Sequence, residues 1–174
     1  MSLRILIFIF FATLIAQTNV KLTQSIVSFT GSHPFHDWTG ISTKVNLNTN
    51  CSETEICDFT FIIPWTSFES GNDNRDNNML YYVNAFDYPN IEMKFQNIHL
   101  NNIKNNVYGK LNFGGEENDF NIPLDFKKNQ NQIKVDSDFK ISLSQFNIDR
   151  PTLLMIPIND TIHVHVKMSG ELFY

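Results

Sequence analysis

Two groups of histidine and carboxylate side chains have the types and spacing that metal binding requires. His33, His36 and Asp37 follow one another closely, and His163 and His165 lie two residues apart. Imidazole and carboxylate groups are good ligands for zinc or copper. Each group lacks a further ligand, so the sequence favours a turn for the first group and solvent-facing positions for the second. We therefore predict no metal site and no cofactor.

The sequence lacks the local motifs of common enzyme active sites. It has no Gly-x-Ser-x-Gly elbow, no His-Glu-x-x-His helix and no glycine-rich phosphate loop. The adjacent Arg75 and Asp76 could contact the polar head group of a lipid, or they could cap a helix and form an ion pair. The second interpretation is favoured. No catalytic residue is predicted, and the chain is interpreted as a binding protein rather than an enzyme.

Composition predicts a single domain with no affinity for nucleic acid. The chain has 174 residues, of which 42% are hydrophobic and 18% charged, and 16 are phenylalanine. That length suits one domain with a substantial core. The formal net charge is -5, and no run of basic residues is present. Such a chain has no charge pattern that would follow a phosphate backbone.

The first residues predict export. Arg4 precedes an apolar run over 5–16, which is shorter than the roughly 20 residues that a membrane-spanning helix needs. Residues 1–18 are therefore interpreted as a signal peptide, cleaved after Ala16 or Thr18, with a buried N-terminal strand or helix as the alternative. The mature domain, 19–174, is expected to be periplasmic or secreted, with no stable insertion in a membrane.

The two cysteines suit an oxidising compartment. Cys51 and Cys57 flank a polar stretch that has the character of a turn, so they are expected to face each other across a hairpin. The predicted arrangement is a local disulfide, and two free thiols are the alternative. Half of a metal site is disfavoured, because the spacing matches no structural zinc pattern.

Alternation of apolar and polar residues recurs along the chain and predicts strands. It is clearest over 132–143, where odd positions are apolar except for Ser137. A strand places such residues on one face, whereas a helix would scatter them. The same pattern predicts eight strands in all, at 25–30, 41–48, 58–63, 91–96, 107–113, 120–126, 132–143 and 162–169.

One segment, 75–86, has apolar residues at helical spacing, including Met79, Tyr82 and Phe86. It predicts a short helix that Pro89 prevents from continuing. A further turn of helix is expected at 152–155.

Eight amphipathic strands leave exposed edges unless the sheet closes on itself. The fold class is therefore all-β, an antiparallel eight-stranded barrel with one inserted helix, whose interior is wide enough for one small ligand.

Two blocks, Asn-Arg-Asp-Asn-Asn-Met-Leu at 74–80 and Ala-Phe-Asp-Tyr-Pro-Asn-Ile-Glu-Met-Lys-Phe at 85–95, resemble the signature of the YceI-like family. The hairpin sequence Gly-Lys-Leu-Asn-Phe-Gly-Gly at 109–115 and the segment 27–40 resemble other family elements. Gly114 replaces the usual histidine, and 143–147 lacks the usual arginine and glycine, so the chain resembles a divergent branch. The resemblance implies a lipocalin-like barrel, secreted to the periplasm, that encloses a polyisoprenoid or a similar amphiphilic lipid.

The inward-facing apolar residues of the strands are predicted to line a cavity for that ligand rather than to fill a solid core. The expected ligand-binding residues are Trp38, Met79, Tyr82, Phe95, Leu111, Phe113, Phe126, Phe139, Ile141, Val164, Val166 and Met168. Two alternatives stay open: a small outer-membrane β-barrel, whose strands alternate in the same way, and a structural or partner-binding β-domain with a filled core. Carriage, storage and sensing of the lipid, and a homodimer, are equally undecided at this point.

Overall fold

A computed structural model describes residues 18–52 and 55–173. The predicted signal peptide lies outside the described residues except for Thr18. Strand β1 begins directly after it, at Asn19. None of the helical segments in the described ranges has the length and apolar character that crossing a bilayer requires.

Antiparallel strands make up most of the described chain, in two five-stranded sheets. Sheet A has the order β2-β1-β12-β9-β8 and sheet B the order β3-β4-β5-β6-β7, while β10 and β11 form a separate two-stranded hairpin. The strands are β1 Asn19–His33, β2 His36–Ser42, β3 Asn46–Cys51, β4 Ile56–Pro64, β5 Asn90–His99, β6 Asn106–Phe113, β7 Glu116–Pro123, β8 Asp125–Asn129, β9 Gln132–Ser142, β10 Thr152–Leu153, β11 Ile156–Pro157 and β12 Thr161–Phe173.

The eight predicted strand segments are all present, but two of them are bent and count as two strands each. The segment predicted at 41–48 breaks after Ser42, where the chain passes from sheet A to sheet B. The segment predicted at 120–126 breaks at Leu124, where the chain returns to sheet A. Each edge of one sheet therefore continues into an edge of the other. The antiparallel pairings follow one another around the molecule, as the lipocalin-like barrel prediction requires.

Helix α1 spans Asp73–Tyr82, so the predicted bounds of 75–86 were wrong at both ends. The helix starts earlier because the Asn72 side chain accepts a hydrogen bond from the Arg75 backbone N–H, at 3.0 Å. It ends earlier because Asn84 has a left-handed backbone, with φ 51°. The backbone N–H groups of Asn84 and Ala85 then donate to the carbonyls of Tyr81 and Leu80, which closes the last turn.

The turn of helix predicted at 152–155 is also wrong. Thr152 pairs with Pro157 and Leu153 with Ile156, which makes a hairpin. Leu154 and Met155 form its turn with φ values of 51° and 65°. Two successive left-handed residues give the tight turn that matches the twist of paired strands, and they exclude a right-handed helix.

Apolar side chains of both sheets point inward, where they form two neighbouring core clusters. One cluster lies beside α1 and includes Trp65 and Phe146, and the other includes Leu100 and the two cysteines. Cys51 and Cys57 are cross-strand partners of β3 and β4 and form a disulfide. The two clusters place the helix at one end of the barrel interior and the disulfide at the other.

Candidate functional site

A cavity of about 380 Å³ opens at the end of the barrel beside α1. We call it the outer chamber. Its walls come from the inward positions of both sheets, and its mouth lies among α1, the β1–β2 turn and the β10–β11 hairpin. Cavities of this size commonly hold a small-molecule ligand.

A second cavity of about 100 Å³, the inner chamber, lies toward the disulfide end. Its lining includes Val20, Phe59, Leu100 and Ile122, which belong to the same core cluster as the cysteines. Ser137 and Ser169 are among its few polar residues. The Ser137 hydroxyl already donates to the carbonyl of Pro123, so this wall offers the chamber little polar surface.

The two chambers follow each other along the strands and share three wall residues, Met93, Phe139 and Val166. On β12, Ile162 lines the outer chamber and Gly170 lines the inner one. Eight residue steps separate these positions, which at about 3.3 Å per residue corresponds to roughly 26 Å. Together the chambers therefore make an elongated apolar space, with Phe139 at the boundary between them.

The structure places all twelve predicted ligand-binding residues around these chambers. Those that line the outer chamber are Trp38, Met79, Tyr82, Leu111, Phe113, Phe139, Ile141, Val164 and Val166. Those that line only the inner chamber are Phe95, Phe126 and Met168. The prediction did not distinguish two chambers, because alternation shows which way a side chain points and not how far along the barrel the space extends.

Wall residues in irregular segments escaped the sequence analysis. Trp65, in a 3-10 turn at Trp65–Ser67, is 2% exposed and packs edge-on against Phe113, with ring centroids 4.8 Å apart. A signal for it was present, since it continues the alternation of Phe59, Phe61 and Ile63 beyond the end of β4. Ile148 and Ile158 also line the outer chamber but follow no period that would reveal them.

Two glycines of the β1–β2 pair set the shape of the outer chamber wall. Gly31 is the cross-strand partner of Trp38, and Gly40 is the partner of Phe29. A Cβ on Gly31 would lie 2.5 Å from the Trp38 ring, and one on Gly40 would lie 2.4 Å from the Phe29 ring. Each ring therefore lies flat across a glycine, an arrangement that any larger residue would prevent.

Polar side chains surround the mouth of the outer chamber, including His36, Asn72 and Arg75. The Arg75 guanidinium lies 5.9 Å from the centre of the Trp38 ring, close enough for a cation–π contact. Arg75 donates to Ser70, and Asp76 accepts hydrogen bonds from the Ser70 backbone N–H and hydroxyl. The expectation that Arg75 and Asp76 cap the helix was wrong, because Asn72 is the cap. Arg75 and Asp76 instead hold Ser70, two residues before the cap.

The donor atoms of His33, His36 and Asp37 do not form a metal-binding group. His33 is buried, and its Nε2 lies 3.2 Å from the Ile156 carbonyl oxygen, whereas His36 and Asp37 are exposed. His33 therefore links β1 to the β10–β11 hairpin at the chamber mouth.

The second histidine group lies on the outer face of sheet A. Asp136, Asp138 and His165 hold donor atoms within 4.8 Å of one another there, without His163. His165 Nδ1 lies 2.8 Å from Asp138 Oδ1, and Lys167 Nζ lies 3.5 Å from Asp136 Oδ2. These contacts join β9 to β12 on the exterior, away from both chambers.

Asp160 organises the turn that follows β9, below the outer chamber mouth. Hydrogen bonds from the Ser142 hydroxyl, and then from the Ser144 hydroxyl and backbone N–H, hold the pKa of Asp160 below its ordinary value of 3.8. The nearby Arg150 lowers it further. The charged carboxylate is thus part of the native geometry that positions Leu143 in the chamber wall.

The direction of the apolar side chains on the strands distinguishes internal ligand binding from an outer-membrane barrel and from a filled core. Val164, Val166 and Met168 on β12 are buried, while the intervening His163 and Lys167 are exposed. An outer-membrane barrel would need the apolar face on the outside. A filled core would leave no space of 380 Å³. The geometry favours an internal ligand over both alternatives.

Comparison with known proteins agrees with this geometry. The sequence profile of the YceI-like domain matches residues 19–169. No curated protein sequence matches the chain significantly. Among solved structures, Burkholderia cenocepacia BcnA superposes with a TM-score of 0.69 and 18% identity, over 83% of this chain and 95% of that one.

Two further solved structures share the fold. A polyisoprenoid-binding domain from Saccharophagus degradans, implicated in plant cell wall breakdown, has a TM-score of 0.69 and 15% identity, over 87% of this chain and 97% of that one. A YceI protein of Campylobacter jejuni has a TM-score of 0.59 and 18% identity, over 76% and 83% of the two chains. At these identities the likeness establishes the fold.

Proposed function

Because this chain belongs to the YceI-like family, we propose that it is an exported protein that binds an elongated apolar or amphiphilic lipid, of the polyisoprenoid kind, inside its barrel. The observation that carries this proposal is the outer chamber, an apolar space of about 380 Å³ with a polar mouth. The polyisoprenoid-binding domain of Saccharophagus degradans, which shares the fold, supports the same ligand class.

The polar mouth and apolar walls suit an amphiphile in one orientation. The chain of the ligand would enter the outer chamber, where burial of apolar surface contributes about 25 cal/mol per Å². A polar head group would stay at the mouth near Asn72, Arg75 and Asn78. Because many ordinary apolar residues share the contact, no single wall residue is expected to dominate the affinity.

A binding role, rather than catalysis, follows from the same distribution of side chains. The chamber walls offer chiefly aliphatic and aromatic groups, which hold a ligand without activating it. Export is supported by Arg4 and the apolar run at 5–16, and by the Cys51–Cys57 disulfide, which persists in oxidising compartments. Carriage, storage and sensing would all use this arrangement.

The test is to identify what the purified protein carries. Protein made in several expression hosts is extracted with organic solvent, and the extract is analysed by mass spectrometry. We expect a lipid with a long apolar chain in stoichiometric amount. Extracts from every host that contain no such molecule would contradict the proposal.

A pair of variants ties that ligand to the outer chamber. Val164→Phe adds a ring inside the chamber, whereas His163→Phe adds the same ring on the exposed outer face of β12, one residue away. The first variant should lose the bound lipid and the second should retain it. Equal loss, or equal retention, would mean that the lipid binds elsewhere.

A further inference from the structure

Three side chains, which we call the partition, lie at the boundary between the two chambers and differ in how freely they can rotate. Met93, Phe139 and Val166 line both cavities. Val166 is β-branched and has a restricted χ1, so it forms a fixed edge. Methionine has three rotatable bonds and adapts easily, and phenylalanine changes between staggered rotamers. The partition therefore has one rigid side and two mobile ones.

The strand backbone around Met93, Phe139 and Val166 is held by hydrogen-bonded ladders, so only the side chains can move. Phe139 pairs with Val164, and Val166 pairs with Ser137, within the continuous ladder between β9 and β12. Met93 pairs with Phe61 on one side and Leu111 on the other. Breaking these ladders would leave backbone groups unpaired inside the barrel, which is costly. Widening the passage therefore requires rotation of Phe139 and Met93.

Phe139 borders both cavities, which makes that rotation feasible. The ring contacts Phe120 edge-on, with centroids 5.6 Å apart, and borders a cavity toward each end of the barrel. Close-packed core rings lack such space. The inner chamber beyond it is apolar and ends at the cluster that holds the Cys51–Cys57 disulfide.

We propose that the inner chamber is a second compartment for the tail of the same ligand, entered when Phe139 and Met93 turn aside from Val166. This inference rests on the proposed function. Chains that fit within the outer chamber leave the partition in place, and longer chains pass it and gain the apolar contacts of the inner chamber. The inner chamber thereby makes the protein selective for long apolar chains, the partition reduces the affinity gained on entering it, and the disulfide end sets the maximum chain length.

The test compares the affinity of prenols of increasing length (geraniol, farnesol, geranylgeraniol and solanesol) by quenching of tryptophan fluorescence. Trp38 and Trp65 both line the outer chamber and report on its occupancy. In the wild-type protein we expect each isoprene unit that enters the inner chamber to raise the affinity at least about tenfold.

Variants of the partition should change this length dependence in opposite directions. Val166→Phe should lower the affinity for the longest bound prenol at least about tenfold relative to the shortest, and Phe139→Ala should raise it. Met93→Phe narrows the passage from the opposite sheet and replaces Val166→Phe if that variant does not fold. Val164→Phe, which lines only the outer chamber, should weaken all prenols alike.

The outcomes distinguish this inference from the proposed function. The same ratio of long-chain to short-chain affinity in wild type, Val166→Phe, Met93→Phe and Phe139→Ala would refute the partition and leave lipid binding intact. A wild-type protein that binds none of the prenols would refute both. A ratio that falls in the narrowed variants and rises in Phe139→Ala supports both.

Discussion

The hydroxyl of Ser137 donates a hydrogen bond to the carbonyl oxygen of Pro123, at the corner where the chain passes from sheet B to sheet A. Ser25 does the same at the other corner, where its hydroxyl lies 2.9 Å from the carbonyl oxygen of Thr43. Both serines are buried. A strand that changes sheets leaves carbonyls without ladder partners, and these two hydroxyls supply partners from the inside of the barrel.

Removal of the Ser137 hydroxyl should therefore destabilise the protein. Ser137→Ala removes the hydrogen bond that the buried Ser137 side chain donates to the Pro123 carbonyl, and we expect a loss of about 0.5–1.5 kcal/mol in the free energy of unfolding. Urea denaturation measures it. Thr39→Val is the control, because it removes a hydroxyl from the exposed Thr30–Thr39 contact and should cost less. A loss for Ser137→Ala no larger than the control would contradict this role.

The disulfide should contribute modestly to stability because it closes a short loop. Cys51 and Cys57 are six positions apart in sequence, and closing such a loop in the unfolded chain corresponds to about 2 kcal/mol. The double variant Cys51→Ala, Cys57→Ala should lose about that amount in denaturant titrations. Reduction of the wild-type protein should give the same loss, and reductant should leave the double variant unchanged. If reductant also destabilises the double variant, the loss seen in the wild-type protein cannot be assigned to the disulfide.

The sequence was sufficient to locate the strands but not the corners between the sheets. Ile41, Val45 and Leu47 are all at odd positions, so the sequence pattern predicts one continuous strand. In the structure Ile41 is exposed, while Val45 and Leu47 point inward, because the chain turns after Ser42. At the other corner, Leu124 continues the phase of the preceding strand, so the sequence contains no sign of the break.

The prediction of chamber-lining residues likewise depended on whether a residue lies on a regular strand. Residues on regular strands, such as Ile141 and Val164, could be assigned to the interior because their period reports their direction. Ile148 and Ile158 lie in irregular segments, where the direction of a side chain depends on contacts that form only in the folded chain. The division into two chambers depends on the volumes of facing side chains from different strands, which no single segment encodes.

Export can be tested by changing the apolar run without touching the barrel. Ile9→Arg places a charge in the middle of the run at 5–16 and should abolish export and processing, whereas Ile9→Leu should preserve both. Fractionation and N-terminal sequencing provide the measurement, with a mature terminus expected after Ala16 or Thr18. Equal export of the two variants would refute the signal peptide.

Asp160 should make stability depend on pH in acid. Its pKa is lowered in the folded protein, chiefly by the Ser142 hydroxyl, so the stability it contributes is present above the ordinary value of 3.8 and is lost as pH falls through the depressed pKa. Asp160→Asn should be less stable than wild type at neutral pH, and the difference should shrink below about pH 4. Ser142→Ala should act in the same direction. Thermal unfolding between neutral pH and pH 2 measures both, and a difference that stays constant over that range would contradict the assignment.

The flat contact between Trp38 and Gly31 predicts that a side chain at position 31 will change the ligand chamber itself. A Cβ there would lie 2.5 Å from the Trp38 ring, so the indole must change position. Gly31→Ala should therefore shift the tryptophan emission and weaken lipid binding at least about tenfold, because the displaced ring occupies space that the ligand needs. Trp38→Leu in the same background removes the clash and should restore part of the affinity. If Gly31→Ala binds lipid as tightly as wild type, the ring has another position available and the glycine is not required by the chamber.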